Sequence, residues 1–173
     1  IRLGKLGSLK SKLLGRSDGR VEYAPDGWIL FVRGSTLLAQ KLDIGAGKLT
    51  GQPITLVDDL LVGSADGNFS ISRNGTLAFS RKQGGDDMTL RAADRGGVIV
   101  GEPLTAGILG NPIPSPDGGR LLYQRGNPGA SSGNEMHVLD LGRSTDTRLT
   151  FTDGRASTAV WSPDGRRFAF VTR

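Results

Sequence analysis

Short apolar runs, each set behind a polar corner, organise this chain. Trp28-Ile29-Leu30-Phe31-Val32, Thr76-Leu77-Ala78-Phe79, Leu121-Leu122-Tyr123 and Phe168-Ala169-Phe170-Val171 are too short for helices and lack the strict alternation of half-exposed strands. Continuous runs of this length predict strands covered on both faces. Each run carries an aromatic four residues past a glycine (Phe31, Phe79) or five past one (Tyr123, Phe170), placed to fill the space between packed layers.

The corners are Ala24-Pro25-Asp26-Gly27, Ser72-Arg73-Asn74-Gly75, Ser115-Pro116-Asp117-Gly118 and Ser162-Pro163-Asp164-Gly165. Proline presets φ in such a turn, aspartate bonds nearby backbone N–H groups, and glycine takes positive φ. Asparagine tolerates the same left-handed geometry, so the Ser72 corner is expected to turn as the others do. A next strand is read at Leu37–Leu42, Met88–Ala92 and Met136–Leu141, each closing on an aspartate and a glycine that mark a second hairpin. Fourth strands are read at Ile54–Val57, Val98–Val100 and Arg148–Phe151, and a short leading strand at Ala159–Trp161.

With the corner glycines at 27, 75, 118 and 165, the intervals are 48, 43 and 47 residues. A period in the forties built of strands is the signature of an all-β fold, the β-propeller, in which each repeat is one four-stranded antiparallel blade. Ile1–Leu6 and Lys12–Leu14 read as the last two strands of one blade, and Arg167–Thr172 ends after the second strand of another. The expected organisation is therefore a half blade over 1–20, blades over about 21–66, 67–110 and 111–156, and a half blade over 157–173. Sixteen strands result. The halves either join into a ring of four blades or belong to an arc of a larger ring. The arc is the favoured expectation, and its open edges suit homodimerisation.

Composition narrows the function classes more than it identifies one. Twenty-seven glycines and eight prolines suit many short strands and tight turns, so long helices are not expected. The formal charge of +5 comes from scattered Lys and Arg without a basic stripe, which argues against nucleic acid as a partner. Without cysteine the chain has no disulfide and no thiolate metal site. No run of about eighteen apolar residues is present to form a membrane helix, and the N-terminal residues do not form a signal peptide. Since the first residue is Ile1 rather than Met, targeting information is expected to lie upstream.

Several patterns imitate chemistry. Gly129-Ala130-Ser131-Ser132-Gly133 matches a serine-hydrolase elbow, but it lies in the Gly126–Asn134 connection, with no helix to follow. His137, the sole histidine, falls within a strand beside Glu135, and reads as a packed or surface side chain rather than a base or ligand. Gly45-Ala46-Gly47-Lys48-Leu49-Thr50 imitates a phosphate loop but lacks Ser or Thr after the lysine, so it reads as a hairpin. Asp58-Asp59 and Asp86-Asp87 lack calcium-loop spacing. Asn68-Phe69-Ser70 fits a glycosylation acceptor only in a eukaryotic secretory setting. Asp26, Asp117 and Asp164 occupy equivalent turns of different blades and are expected to stand well apart. No catalytic, cofactor-binding or metal residue is assigned, and ligand contacts are left unassigned.

Trp161-Ser162-Pro163-Asp164-Gly165-Arg166-Arg167-Phe168-Ala169-Phe170, preceded by Thr147-Arg148-Leu149-Thr150, resembles the WD-like propeller repeat of the TolB family, and the resemblance covers nearly the whole chain. Leu30-Phe31-Val32-Arg33, Thr36–Gln40, Leu49–Pro53 and Phe69–Ser72 before Asn74–Ala78 are most similar to the propeller C-terminal to the kinase domain and membrane segment of acidobacterial serine/threonine protein kinases. This resemblance implies a recognition or sensor module, six to eight blades in most relatives, without chemistry or cofactor of its own. It also implies a protein or peptide partner and a periplasmic or other extracytoplasmic bacterial location, with the cytoplasm left open. Kinase catalytic motifs are absent from the sequence, so any kinase activity is expected upstream of Ile1. The alternatives are the propeller of a prolyl oligopeptidase or dipeptidyl-peptidase and a periplasmic TolB-type envelope protein. The connections Val62–Gly67, Arg81–Asp87 and Gly126–Asn134 are the longest, and are the expected places for binding.

Overall fold

In the computed structural model, the described residues are 1–62, 68–82, 88–93, 98–107, 109–126, 134–151 and 156–172. They form sixteen strands in five antiparallel sheets, with a single 3-10 turn at Pro25–Gly27 as the only helical element among them. The chain divides into two compact units, Ile1–Gly67 and Asn68–Arg173.

The first unit holds the hairpin β1 (Arg2–Gly4) and β2 (Ser11–Leu13). It also holds a four-stranded sheet of β3 (Val21–Ala24), β4 (Trp28–Arg33), β5 (Thr36–Asp43) and β6 (Lys48–Val57). In the second unit, β7 (Phe69–Ile71), β8 (Leu77–Lys82), β9 (Met88–Ala93) and β10 (Ile99–Gly107) form one sheet. A second sheet is β11 (Leu109–Pro114), β12 (Arg120–Gly126), β13 (Asn134–Asp140) and β14 (Thr145–Arg148), and the hairpin β15 (Ala156–Trp161) with β16 (Phe168–Thr172) follows. Each four-stranded sheet pairs its strands in chain order. Three such meanders and two hairpins make a partial β-propeller of four-stranded antiparallel blades.

The apolar runs lie where a blade needs them. Phe31, Phe79 and Tyr123 are fully buried, each contributing roughly 1.5–3 kcal/mol by leaving water. In the first unit Ile29, Phe31 and Leu42 pack with Ile1, Leu14, Leu38 and Leu49, so β1–β2 covers one face of the β3–β6 blade. In the second, Leu121, Tyr123 and Leu139 pack with Ala78, Leu90 and Leu109, joining one blade to the next. The opposite face of that blade sets Leu122 and Met136 against Ala156 and Ala159. Phe170 departs from the aromatic pattern: it is 37% exposed, and among the described strands β16 pairs only with β15.

Two fourth strands begin earlier than the hydrophobic pattern indicates. β14 starts at Thr145 rather than Arg148, because the Asp140 carboxylate accepts from the N–H groups of Gly142 and Arg143 and closes a tight turn, so pairing resumes at Asp140–Thr145. All four β14 residues are exposed, so they carry no apolar signal. β6 starts at Lys48 rather than Ile54 and passes Pro53 by shifting register around Gln40, whose amide donates to the carbonyl of Gly51, a residue at φ +69°.

Candidate functional site

The corners are complete hydrogen-bonding units. At Ser115 and Ser162, the backbone N–H donates across the turn to the carbonyls of Arg120 and Arg167, both at 2.8 Å. The two serine hydroxyls donate to Asp117 Oδ1 and Asp164 Oδ1 at 2.5 Å while accepting from the N–H groups of Arg120 and Arg167. The Ser115 hydroxyl first, and the Gly119 N–H second, hold the Asp117 carboxyl below its ordinary range. Ser162 and the Arg166 N–H do the same for Asp164. At the Ser72 corner, the Ser72 hydroxyl meets the Asn74 side-chain oxygen and accepts from Thr76 N–H, so asparagine substitutes for aspartate as expected. The first corner differs. Ala24 supplies no hydroxyl, and Asp26 itself takes φ +60° inside the 3-10 turn, with Lys41 Nζ donating to its carbonyl at 2.7 Å.

Within the second unit, consecutive corners touch. Asn74 Nδ2 donates to the Asp117 carbonyl at 2.7 Å, and Arg120 Nη2 donates to the Gly165 carbonyl at 2.7 Å. Arg120 also lies over the Trp161 ring at 5.2 Å, while Trp161 Nε1 donates to the Ile113 carbonyl at 2.9 Å. These contacts tie each blade to the next at the end where the corners lie.

A second polar constellation crosses β12, β13 and β14. Register places Tyr123 opposite His137 and His137 opposite Arg148, so the three share one face. Asp146 is its centre: Oδ2 accepts from the Tyr123 hydroxyl at 2.6 Å and Arg125 Nη1 at 3.1 Å, while Oδ1 lies 3.1 Å from His137 Nδ1. His137 Nε2 lies 3.4 Å from Glu135, whose other oxygen pairs with Arg148 at 3.1 Å. Burial, followed by the Asp146 carboxylate, pushes the Tyr123 hydroxyl well above its usual range. His137 is buried, as a packed histidine should be, and both its ring nitrogens face carboxylates. A tyrosine that holds its proton, and a histidine flanked by acids each paired with arginine, form a cross-strand network.

The Gly129–Gly133 elbow pattern and Asp86-Asp87 lie outside the described residues, as does most of each of the three long connections. The Gly45–Gly47 segment is the hairpin between β5 and β6: Asp43 Oδ1 accepts from Ala46 N–H, and Gly47 sits at φ +59°. Asp59 takes φ +57°, in the connection after β6. An open hollow of about 530 Å³ beside the β1–β2 hairpin is bordered by Leu3, Lys5, Lys10, Lys12 and Ile44. Among the described residues, no group of three or more potential metal ligands converges, and no helix is long and apolar enough to cross a membrane. The contacts of Asn74, Arg120 and Asp146 are not legible in the sequence, because nothing in a local pattern marks a contact formed between strands or blades.

No family model and no characterised protein sequence matches the chain. Solved structures do. TolB from Acinetobacter baumannii is similar over 99% of this chain and 42% of its own, at 19% identity and a TM-score of 0.74. A putative TolB from Agrobacterium tumefaciens is similar over 88% of this chain and 52% of its own, at 23% identity and a TM-score of 0.61. A prolyl endopeptidase structure is similar over 89% of this chain and 26% of its own, at 17% identity and a TM-score of 0.58. The chain thus spans about half or less of the length of these neighbours. At such identities the likeness is one of fold, and that fold is the TolB-like β-propeller.

Proposed function

We propose that this chain is a non-catalytic recognition module, a propeller segment that presents loops from its blades to a protein or peptide partner. The observation that carries the reading is how the chemically suggestive side chains are engaged. Asp117 and Asp164 close turns, and His137 and Asp146 lie inside a cross-strand network. Rigid blades are a scaffold on which connecting loops carry binding.

The finer reading is the extracytoplasmic sensor propeller of a receptor-like serine/threonine kinase, supported by the residue resemblance around Leu30–Pro53 and Phe69–Ala78. Catalysis then belongs to a domain outside this chain. A pull-down from bacterial envelope extract, with the chain immobilised, tests the module. Retention of a defined protein that is lost on shortening 81–87 or 126–134 supports it, and the same capture by all loop variants removes the loops from the proposal. The gene sequence on either side tests the finer reading: a kinase domain and membrane helix upstream of Ile1 support it, and a hydrolase domain downstream of Arg173 overturns it.

A further inference from the structure

Of the five asparagines in the chain, Asn74 alone is followed by glycine; Asn111 and Asn127 precede proline, Asn68 precedes phenylalanine and Asn134 precedes glutamate. The following residue decides whether an asparagine side chain can react with its own backbone. Attack on the side-chain amide by the next backbone nitrogen needs a conformation that a Cβ obstructs and glycine reaches freely, and proline has no N–H to give up. Asn74 is exposed, and Gly75 sits at φ +89°. In the folded corner each group of that reaction is engaged. The attacking group, the Gly75 N–H, donates to the Ser72 carbonyl at 3.1 Å. Asn74 Oδ1 meets the Ser72 hydroxyl and accepts from the Thr76 N–H at 3.3 Å and the Thr76 hydroxyl at 3.1 Å. The leaving group, Asn74 Nδ2, donates to the Asp117 carbonyl of the next blade at 2.7 Å.

We propose that Asn74-Gly75 is a deamidation site, that the contact with the next blade holds the reaction back, and that the product cannot remake that contact. When the corner opens, the Gly75 nitrogen gives up its proton and bonds to Asn74 Cγ. The Cγ–Nδ2 bond breaks, and the side-chain nitrogen leaves as ammonia carrying that proton. Water then opens the resulting cyclic imide, at one carbonyl to give aspartate and at the other to give isoaspartate, in which the backbone runs through Cβ. Water is the only co-reactant, and nothing is oxidised or reduced.

Within its own turn the aspartate product fits. The corners at Ser115 and Ser162 carry aspartate at this position, and its carboxylate accepts from the serine hydroxyl. Toward the next blade it fails, because a carboxylate oxygen replaces the donor at 2.7 Å from the Asp117 carbonyl and sets acceptor against acceptor. Isoaspartate also lengthens the backbone of the turn. No neighbour replaces the lost donor. In the next corner the outward donor is Arg120, but Thr76 stands in that place here, since the Ser72 N–H bonds the Thr76 carbonyl as the Ser115 N–H bonds that of Arg120. The Thr76 hydroxyl already donates within its own turn and lacks the reach of a guanidinium. Deamidation therefore removes this side-chain tie between the β7–β10 and β11–β14 blades in one direction only.

The test incubates the 173-residue chain at mildly alkaline pH, folded and unfolded in guanidinium chloride, and follows the tryptic peptide Asn74–Arg81 by mass spectrometry, with Asn68 and Asn134 as controls. Asn74 is expected to convert in both states, at least about tenfold more slowly when folded, because the reaction draws on the opened corner. Gly118→Ala, whose methyl would collide with the Asn74 amide, is expected to raise the folded rate. Asn74→Asp reads the same contact whether or not that variant folds: circular dichroism should be unchanged, and the urea midpoint followed at Trp161 in a Trp28→Phe background should fall by about 0.5 M. Equal rates in the two states overturn the proposal. So does conversion of Asn74 no faster than of Asn68 and Asn134 in the unfolded chain, a folded Gly118→Ala chain that converts at the wild-type rate, or an Asn74→Asp midpoint that matches wild type.

Discussion

Removing the Asp146 carboxylate is the sharpest test of the network on β12–β14. Three donors converge on it: the Tyr123 hydroxyl, Arg125 and His137 Nδ1. In Asp146→Ala the Tyr123 hydroxyl, on a fully buried residue, loses its carboxylate acceptor and keeps only the Thr105 hydroxyl as a partner, a loss that costs about 1–3 kcal/mol. The Arg125 side chain is 42% exposed, so its ion pair contributes less than about 1 kcal/mol. The expected loss is about 2–3 kcal/mol, dominated by tyrosine. Tyr123→Phe leaves Asp146 two other partners and is expected to cost only about 1 kcal/mol. Once Tyr123 is Phe, deleting Asp146 strands no hydroxyl, so the double variant is expected to recover about 1 kcal/mol or more of the summed cost. Urea unfolding followed by Trp161 fluorescence in a Trp28→Phe background reads the second unit alone. With a slope of about 1–3 kcal/mol per molar urea, the Asp146→Ala midpoint falls by about 1 M. Additive effects within about 0.5 kcal/mol would refute the argument.

The same pair gives an alkaline signature. Because the folded Tyr123 hydroxyl titrates above its unfolded value of 10.0, the folded state keeps a proton that the unfolded chain releases. Its contribution is whole below pH 10 and is lost as pH climbs from there toward the raised folded value. Tyr123→Phe should therefore flatten the fall in stability above pH 10, as measured by urea midpoints at pH 9 to 11. At the acid end the sign reverses. Asp117 and Asp164 titrate below 3.8, so their stabilisation is present above that value and disappears as pH falls through their folded values; the Ser115→Ala, Ser162→Ala double variant should lose stability at neutral pH and decline less on acidification. Gly118→Ala should cost more than about 1 kcal/mol in thermal or urea melts, since φ is +71° and the new methyl would collide with the Asn74 amide. Trp161→Phe should cost about 1 kcal/mol or more by leaving the Ile113 carbonyl without its donor, and an unchanged melt would remove that contact from the inter-blade account.

The fold was legible because blade strands write themselves locally. A glycine at positive φ, an apolar run and an inward aromatic recur within a dozen residues, and Gly75, Gly118 and Gly165 take φ of +89°, +71° and +67° in the structure. Strand starts were harder where solvent removes the apolar signal, as in the fully exposed β14, or where a bulge carries a strand past a proline, as in β6. The contacts between corners were illegible for another reason. Asn74 reads as a turn residue whether or not its amide reaches 43 positions along the chain to Asp117, and a single sequence gives no means of pairing them. Asp146 looks like a surface charge in a polar strand, and only the register of β13 against β14 brings it to the His137 ring.

A repeated acidic corner invites a functional reading, and the structure supplies a mechanical one. In the second unit the Asn74, Asp117 and Asp164 side chains accept within their own turns, and neighbouring groups donate outward: the Asn74 amide nitrogen to the next corner, and the Arg120 guanidinium to the one after. The donors differ in type and come from different positions, yet both end on backbone carbonyls of the following corner. A carbonyl is available whatever side chain stands there, so the link survives sequence drift in the corner that accepts it. That leaves the corner end committed to holding blades together, and the proposed binding role falls to the connections at the opposite ends of the strands. Changes in length between Lys82 and Met88 or between Gly126 and Asn134 should therefore alter partner binding with little effect on the urea midpoint read at Trp161. If shortening either connection instead unfolds the second unit, the division of labour between the two ends of the blades fails.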